Sequence, residues 1–278
     1  MRLVGYVNER GERSIGSLVD ADTIAPQGTM REFYQDSFTI AQRAERGVAP
    51  VKRSDVVFIP PVPETARIFC VAINYLGHAA EAEEAGIERP KAPMIFGRWA
   101  STLVVDGETI PVPPNEDGLD WEVELAAVIG REGYNVSEQD AMGLVLGYAA
   151  FNEITARKKQ MATAQFTLGK NADRSGPIGP IVVDPALDPH ELDLTTLLNG
   201  EVVQRGNTKD MIFGLPEVIS YISDTVTLLP GDVIATGTPE GIGWSMKPPR
   251  LMHPGDVVQV EVEKLGTVRN TITKPRSS

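Results

Sequence analysis

Alternation of apolar and polar residues dominates the second half of the chain. In VVQVEVE, Val258, Val260 and Val262 alternate with polar residues, which is typical of a strand with one buried face. TLLNGEVVQ places Asn199-Gly200 between strand-like flanks, and this pair favours a tight hairpin turn. Further strand-like runs are RIFCVAIN, LVLGYAAFNEIT, GPIVV and DVIATG. The pattern predicts a β-rich α+β protein.

Helical patterns are few and short. One helix is predicted over residues 30–47, another after Ser137, where S-E-Q-D resembles a capping box, and a third within GLPEVISYIS. The proline cluster in FIPPVPETAR is typical of a linker. We therefore expect a small N-terminal α/β domain over residues 1–60 and a larger domain over residues 61–278.

Composition narrows the classes of partner. The chain has 278 residues, 42% of them hydrophobic, and a formal net charge of -12. An acidic surface argues against nucleic acid and against anionic membranes, which both need basic surfaces. Cys70 is the single cysteine, so an internal disulfide and a cysteine-based zinc cluster are excluded. With no signal-peptide pattern at the start of the chain, we expect a cytoplasmic protein.

Two carboxylates interrupt the apolar run DWEVELAAVIG, residues 120–130. Glu122 and Glu124 project from the same side of the predicted strand, because successive strand residues alternate faces. At a separation of about 5 Å and a dielectric of about 20, they would repel by about 3 kcal/mol. A solvated strand face is one explanation. A bound cation is the other, since the next strand brings Glu153 near the pair and three carboxylates suit Mg²⁺ or Mn²⁺.

A histidine and a glutamate share one face of a predicted helix in NYLGHAAEAEEAG. His78 and Glu81 are three residues apart, so the carboxylate can orient the imidazole as a general base. The alternative is an incidental pair on a surface helix. His190 and His253 lie beside prolines in turn-like contexts, and we expect both to be structural.

Polar residues after Glu153 could receive an anionic substrate. Arg157, Gln160 and Lys170 follow it in EITARKKQ and TLGKNAD. The loop ATGTPEGIG, residues 235–243, matches neither the dinucleotide pattern nor the phosphate-loop pattern, so both kinds of cofactor are excluded. Its backbone N–H groups could still face an anion.

Read in order, these motifs, with PIGP, NGEVVQ and PGDVV, resemble the fumarylacetoacetate hydrolase family over residues 66–274. The resemblance implies a mixed β-sandwich and β-roll C-terminal domain behind a smaller N-terminal domain. It also implies a homodimer that holds Mg²⁺ or Mn²⁺ and acts on small β-diketo or α-keto acids.

The resemblance also assigns roles to residues. The metal ligands would be Glu122, Glu124 and Glu153, and the catalytic groups would be His78, Glu81 and Lys170. The substrate-binding residues would be Tyr75, Arg98, Arg157, Gln160 and Thr238.

Three positions depart from the family pattern. The third metal ligand is ordinarily aspartate, whereas this chain has Glu153, which is longer by one methylene. The usual lysine after I-F is Arg98, and Lys158 stands where aspartate is common. These departures suggest a substrate outside the best-known members.

The first hypothesis for the activity is metal-dependent hydrolysis of a carbon–carbon bond in an acylpyruvate-like or β-diketo acid. In it His78 activates water, while Lys170 and the N–H groups of the 236–243 loop stabilise the oxyanion. The alternative keeps the same enolate and gives isomerisation, tautomerisation or decarboxylation. A third hypothesis is a lapsed metal site that serves as a non-catalytic binding module.

Overall fold

The computed structural model describes residues 1–43, 49–84 and 86–276. The strands are β1 (Arg2–Val7), β2 (Arg13–Leu18), β3 (Thr23–Thr29), β4 (Val51–Lys52), β5 (Val57–Ile59), β6 (Arg67–Ala72), β7 (Met94–Trp99), β8 (Leu103–Val104), β9 (Thr109–Pro111), β10 (Val123–Ile129), β11 (Val145–Asn152), β12 (Gly176–Pro177), β13 (Ile181–Val182), β14 (Asp193–Leu198), β15 (Glu201–Asn207), β16 (Val233–Ala235), β17 (Val257–Val262) and β18 (Gly266–Thr273). The helices are α1 (Met30–Gln35), α2 (Ser37–Arg43), α3 (Leu76–Glu84), α4 (Glu138–Ala141), α5 (Arg157–Met161), α6 (Thr167–Lys170) and α7 (Leu215–Ser223). Short 3-10 turns occupy Arg53–Asp55, Ala100–Thr102, Met142–Leu144, Thr208–Asp210 and Gly243–Ser245.

Most strands join one large mixed sheet. Its order is β4-β3-β2-β1-β13-β11-β10-β16-β6-β7, and β5 also pairs with β1. The N-terminal strands extend this sheet through the pairing of β1 with β13, where Arg2 lies opposite Val182. The domain boundary expected near residue 60 stays a prediction.

Strand β10 lies at the centre of the molecule and is buried on both faces. Its odd-numbered residues, from Val123 to Ile129, share one apolar core with Val260 and Val262 of the second sheet. The even-numbered residues Ala126 and Val128 belong to a separate core that includes residues of α1. Burial on both faces explains why the run is nearly all apolar.

The second sheet has five strands in the order β15-β14-β17-β18-β9. The predicted hairpin is present between β14 and β15, with Asn199 at φ 52° and Gly200 at φ 86°. Val258, Val260 and Val262 are fully buried, as their alternation predicts. The β-rich α+β fold expected from the sequence is confirmed.

The helix predicted over residues 30–47 is wrong as a single element. The chain forms α1 and α2, separated at Asp36, whose φ of -154° and ψ of 56° are not helical. Ser37 then donates a hydrogen bond from Oγ to the carbonyl of Gly130, across 2.9 Å. The end predicted at Gly47 lies outside the described residues.

The other two predicted helices are present. Helix α4 follows Ser137, whose Oγ accepts from the N–H of Asp140, and α7 lies within GLPEVISYIS.

Four chain segments meet at one edge of the large sheet. Strands β6 and β16 are parallel and both end there, followed by α3 and by the 236–243 loop. Strand β10 begins at the same edge and β11 ends there, because Val123 pairs with Asn152. Of the eleven functional residues predicted from the sequence, seven lie in or directly beside these segments. The other four lie on β7 (Arg98), α5 (Arg157 and Gln160) and α6 (Lys170). Within the described ranges, no helix is both long and apolar enough to cross a membrane.

Candidate active site

A pocket of about 130 Å³ opens at this edge. Aromatic and aliphatic side chains, including Phe96, Phe166, Ile242 and Trp244, form part of its wall. Eight of the eleven residues predicted from the sequence line it, namely His78, Glu81, Glu122, Glu124, Arg157, Gln160, Lys170 and Thr238. Tyr75, Arg98 and Glu153 are buried outside the lining.

Glu122 is held between two cations. Nζ of Lys170 donates to Oε2 across 2.8 Å, and Nη2 of Arg157 lies 2.7 Å from Oε1. Burial by itself would raise the pKa of Glu122, but the charges of Lys170 and Arg157 outweigh it and lower the pKa to about 2. Glu122 is therefore ionised at every physiological pH.

Glu124 lies in a different electrostatic environment. Its Oε2 accepts a hydrogen bond of 2.9 Å from the N–H of Gly237. Burial, and then the carboxylates of Glu153 and Glu122, raise the pKa of Glu124 well above its ordinary value. A Cβ at Gly237 would lie 2.8 Å from the carbonyl oxygen of Val71, and φ there is +95°, so only glycine brings this N–H so close.

Glu153 lies beside the pair, as the strand order predicts. Its N–H donates to the carbonyl of Glu122 across 2.9 Å. Its carboxylate, however, is bound by Arg98, whose Nε lies 3.0 Å from each oxygen and whose Nη2 lies 2.7 Å from Oε1. Sequence reasoning treated Arg98 as a substrate ligand, whereas the structure pairs it with Glu153.

The residues present do not fit the metal centre predicted from the sequence. Among the described residues, no three histidine, cysteine or carboxylate side chains are placed to hold a metal ion. The physical reason lies in the third carboxylate, because both oxygens of Glu153 accept from Arg98. Only Glu122 and Glu124 of the three face the pocket.

The predicted histidine–glutamate pair is formed. Nδ1 of His78 lies 3.1 Å from Oε2 of Glu81, one turn along α3. The other oxygen of Glu81 accepts a 2.9 Å hydrogen bond from the N–H of Gly241. Partial burial would raise the pKa of Glu81, but the bonds to His78 and Gly241 lower it. Glu81 therefore orients the imidazole and also attaches α3 to the 236–243 loop.

Three amides of the 236–243 loop donate to carboxylates of the protein. Gly237 donates to Glu124, Gly241 to Glu81, and Gly243 donates across 2.8 Å to Oδ1 of Asp120. These N–H groups bind carboxylates of the protein, which removes them as oxyanion donors. The loop is a scaffold that fixes acidic side chains.

Asp120 is a residue that sequence reasoning missed. It is fully buried and accepts a 2.7 Å hydrogen bond from Nε of Arg157 at Oδ2. The E-x-E pattern of Glu122 and Glu124 does not include Asp120, which opens the same run. The sequence does contain a sign of its role. Asp120 is an acidic residue next to Trp121 at the start of a strand predicted to be buried, and a buried carboxylate needs a cation such as Arg157.

Two polar residues of the lining are fixed by neighbours. Oε1 of Gln160 accepts from Nη1 of Arg157 across 2.7 Å. Oγ1 of Thr238 accepts from Nε2 of Gln204 across 2.8 Å. Tyr75, predicted as a substrate ligand, is fully buried in the main apolar core. Its predicted contact with substrate finds no support in the pocket lining.

Residues 67–273 match the profile of the family described as fumarylacetoacetate (FAA) hydrolase C-terminal. The chain belongs to this family. The rat (Rattus norvegicus) mitochondrial oxaloacetate tautomerase is 38% identical over 266 residues, which cover 92% of this chain and 84% of the relative.

Two solved structures of the family extend the comparison. The 2-hydroxyhepta-2,4-diene-1,7-dioate isomerase of Mycobacterium marinum is 29% identical, covers 100% of both chains and has a TM-score of 0.80. The fumarylpyruvate hydrolase of Pseudomonas aeruginosa, solved with Mn²⁺ and pyruvate, is also 29% identical and has a TM-score of 0.69. The match covers 78% of this chain and 92% of that one. An enzyme of this family is confirmed, and its members include isomerases as well as hydrolases.

The cytoplasmic localisation expected from the sequence is wrong. The rat relative is named as a mitochondrial protein, and so are the human and bovine relatives. The expectation rested partly on Cys70 being the single cysteine. A missing disulfide indicates a reducing environment, and it does not distinguish between compartments that keep thiols reduced.

Proposed function

We propose that this protein interconverts the keto and enol forms of a small 2-oxo acid that carries a second carboxylate, as oxaloacetate does. One observation supports the proposal most strongly. The pocket combines an oriented imidazole, His78, with two buried cations, Lys170 and Arg157, in about 130 Å³. The name of the rat relative, an oxaloacetate tautomerase, favours the same chemistry.

Size and charge limit the substrate. Pockets for drug-sized ligands measure roughly 300 to 1,000 Å³, so a cavity of about 130 Å³ suits an acid of a few carbons. The bond from Lys170 to Glu122 uses one of the three N–H donors of the ammonium group and leaves two for a ligand. Arg157, held by Asp120, presents a second fixed positive charge to a carboxylate.

The proposed reaction removes one proton from carbon and delivers another to oxygen. Because Nδ1 of His78 is held by Glu81, Nε2 is the nitrogen that accepts a proton from the carbon next to the ketone. The electrons of the broken C–H bond form the C=C bond of the enol, and those of the C=O bond move to oxygen. Lys170 donates a proton to that oxygen. His78 then releases its proton to solvent and Lys170 takes one up, so both groups return to their starting state, and the reverse reaction uses the same two groups. The reaction consumes no water and breaks no carbon–carbon bond.

Hydrolysis of a carbon–carbon bond, the first hypothesis from the sequence, is the second candidate. The similarity to fumarylpyruvate hydrolase favours it. It needs a water molecule that His78 deprotonates, and it releases two smaller acids. Decarboxylation is a third outcome of the same enolate. The three reactions differ in the mass of the product, so one assay distinguishes them.

The test is product identification on a panel of 2-oxo diacids and acylpyruvates by mass spectrometry and proton NMR. We expect an isomer of unchanged mass from wild-type protein and from His253→Ala, because His253 is exposed and outside the pocket. His78→Ala should lose the activity. Two smaller acids would favour hydrolysis, loss of carbon dioxide would favour decarboxylation, and no conversion of any substrate would reject all three.

Two expectations about binding partners stay predictions. The homodimer expected from the resemblance is tested by size-exclusion chromatography with light scattering. The absence of a nucleic-acid partner, expected from the net charge of -12, is tested by a binding assay at low salt, where phosphate contacts are strongest.

A further inference from the structure

Every N–H group of the Arg98 guanidinium has a partner inside the protein. Nε and Nη2 donate to the carboxylate of Glu153, and Nη2 also lies 3.1 Å from the carbonyl of Ile154. Nη1 donates to Oγ1 of Thr102 across 3.1 Å and to Oγ of Ser175 across 2.8 Å. Arginine has five N–H donors, so no donor is left for a substrate. The side chains of Arg98 and Glu153 are both completely buried.

The carboxylate of Glu153 is equally well satisfied. It accepts three contacts from Arg98, and Sγ of Cys70 lies 3.4 Å from Oε2. A carboxylate offers about four lone-pair positions, and three hydrogens occupy most of them: the Nε–H of Arg98, shared between both oxygens, one Nη2–H of Arg98 and the thiol of Cys70. A divalent cation bound to Glu153 would have to displace Arg98 and would then lie beside its buried positive charge. Both effects oppose coordination.

Two of the three departures from the family pattern, Arg98 and Glu153, explain each other. Arginine presents a planar fork that binds both oxygens of one carboxylate, whereas the ammonium of lysine acts as a point charge. The glutamate is longer than the usual aspartate by one methylene and reaches the fork of Arg98. Changing only one of the two residues would leave the other charge buried without its matched partner, which is costly.

We propose that Glu153 is the internal counter-ion of Arg98 and not a ligand of a metal ion. The pair is a structural element beneath the pocket, where its two charges neutralise each other. Of the three predicted metal ligands, Glu122 and Glu124 line the pocket and can contact a cation there, whereas Glu153 does not line it. This inference concerns metal binding and stability, so it does not rest on the proposed tautomerase activity.

The test measures Mn²⁺ binding and thermal stability in the same variants. Mn²⁺ is titrated into the wild-type protein, Glu153→Gln and the exposed control Glu191→Gln, and the free ion is measured by electron paramagnetic resonance. Loss of even an outer partner of a metal ligand typically costs about 10- to 100-fold in affinity, so a residue with no part in metal binding should leave the Mn²⁺ affinity of Glu153→Gln within about twofold of the wild type. The Tm of Glu153→Gln should fall by roughly 5 to 10 °C, because Arg98 loses its counter-ion, while Glu191→Gln keeps the wild-type Tm.

A double variant keeps the proposal testable if Glu153→Gln does not fold. Arg98→Met combined with Glu153→Met removes both charges at similar volume. The double variant should be more stable than Arg98→Met alone or Glu153→Met alone, because neither charge is left buried without a partner. It should also bind Mn²⁺ as the wild type does. A tenfold or greater loss of Mn²⁺ affinity in folded Glu153→Gln or in the double variant would overturn the proposal. An unchanged Tm in Glu153→Gln would also overturn it.

Discussion

Nε of Arg157 donates to Oδ2 of Asp120 across 2.7 Å, and the other oxygen of the same aspartate accepts from the N–H of Gly243 across 2.8 Å. One buried carboxylate thus connects Arg157 to the 236–243 loop. The same loop also donates hydrogen bonds to Glu124 and Glu81. Asp120 does not line the pocket, so it acts through Arg157 as a positioning residue.

Asp120→Asn should weaken substrate binding more than it slows the chemical step. The amide removes the negative charge that fixes Arg157, and a hydrogen bond to a charged group contributes about 1.5 to 3 kcal/mol. We expect KM to rise about tenfold with a smaller change in kcat, measured by steady-state kinetics. Asp117→Asn is the control, because Asp117 is exposed and pairs with the exposed Lys158. An unchanged KM would contradict this role.

Lys170→Met should impair the chemical step. The substitution removes the proposed proton donor and one of the two cations beside Glu122. Loss of one group that stabilises a developing oxyanion typically lowers kcat by about 100-fold or more. Lys159→Met changes an exposed lysine one helix away and should keep wild-type kinetics. Equal kcat values in the two variants would exclude Lys170 from the reaction.

Glu124→Gln should stabilise the folded protein at high pH. The pKa of Glu124 is raised in the folded state, so the folded protein binds more protons than the unfolded protein between the two pKa values. Its contribution to stability therefore decreases as pH rises through that window. The neutral amide avoids this loss and still accepts from Gly237.

Thermal unfolding from pH 4 to pH 9 measures the effect. We expect the Tm of Glu124→Gln to exceed that of the wild type by roughly 2 to 5 °C at pH 8, with a smaller difference at pH 4. A lower Tm at pH 8 would show that the ionised carboxylate is stabilised in the folded protein.

Glu122 should show the opposite dependence on pH. Its folded pKa of about 2 lies below the ordinary value, so its contribution is complete above the unfolded pKa and is lost as pH falls toward 2. Unfolding by urea at pH 6 and at pH 3 should show a larger loss of stability on acidification in the wild type than in Glu122→Gln. Equal losses would contradict the pairing of Glu122 with Lys170 and Arg157.

Local patterns predicted much of the sheet structure. Alternation of Val258, Val260 and Val262 and the Asn199-Gly200 turn are consequences of backbone geometry that a short segment already determines. The pairing of β10 with β11 was also predictable, because a short connection returns the chain alongside its neighbour. The same pairing of neighbouring strands predicted that Glu153 lies close to Glu122, as it does.

Contacts between distant segments were not predictable in the same way. Arg98 and Glu153 are 55 positions apart, and only the folded structure shows that they bind each other. Next to the break at Asp36, Ser37 binds the carbonyl of Gly130, which is 93 positions away. The loop amides donate to Glu81 of α3, to Glu124 of β10 and to Asp120 just before β10, so the composition of the loop could not identify their acceptors.

The central claim is that, in a small 2-oxo diacid, His78 removes a proton from carbon and Lys170 delivers another to oxygen. The most direct measurement follows the decay of enol absorbance after the enol form of oxaloacetate is mixed with wild-type protein, with His78→Ala and with His253→Ala. We predict rapid decay with wild type and His253→Ala, and decay at the buffer rate with His78→Ala, with oxaloacetate intact by mass. Decay at the buffer rate with all three proteins, or accumulation of cleavage products, would contradict the claim.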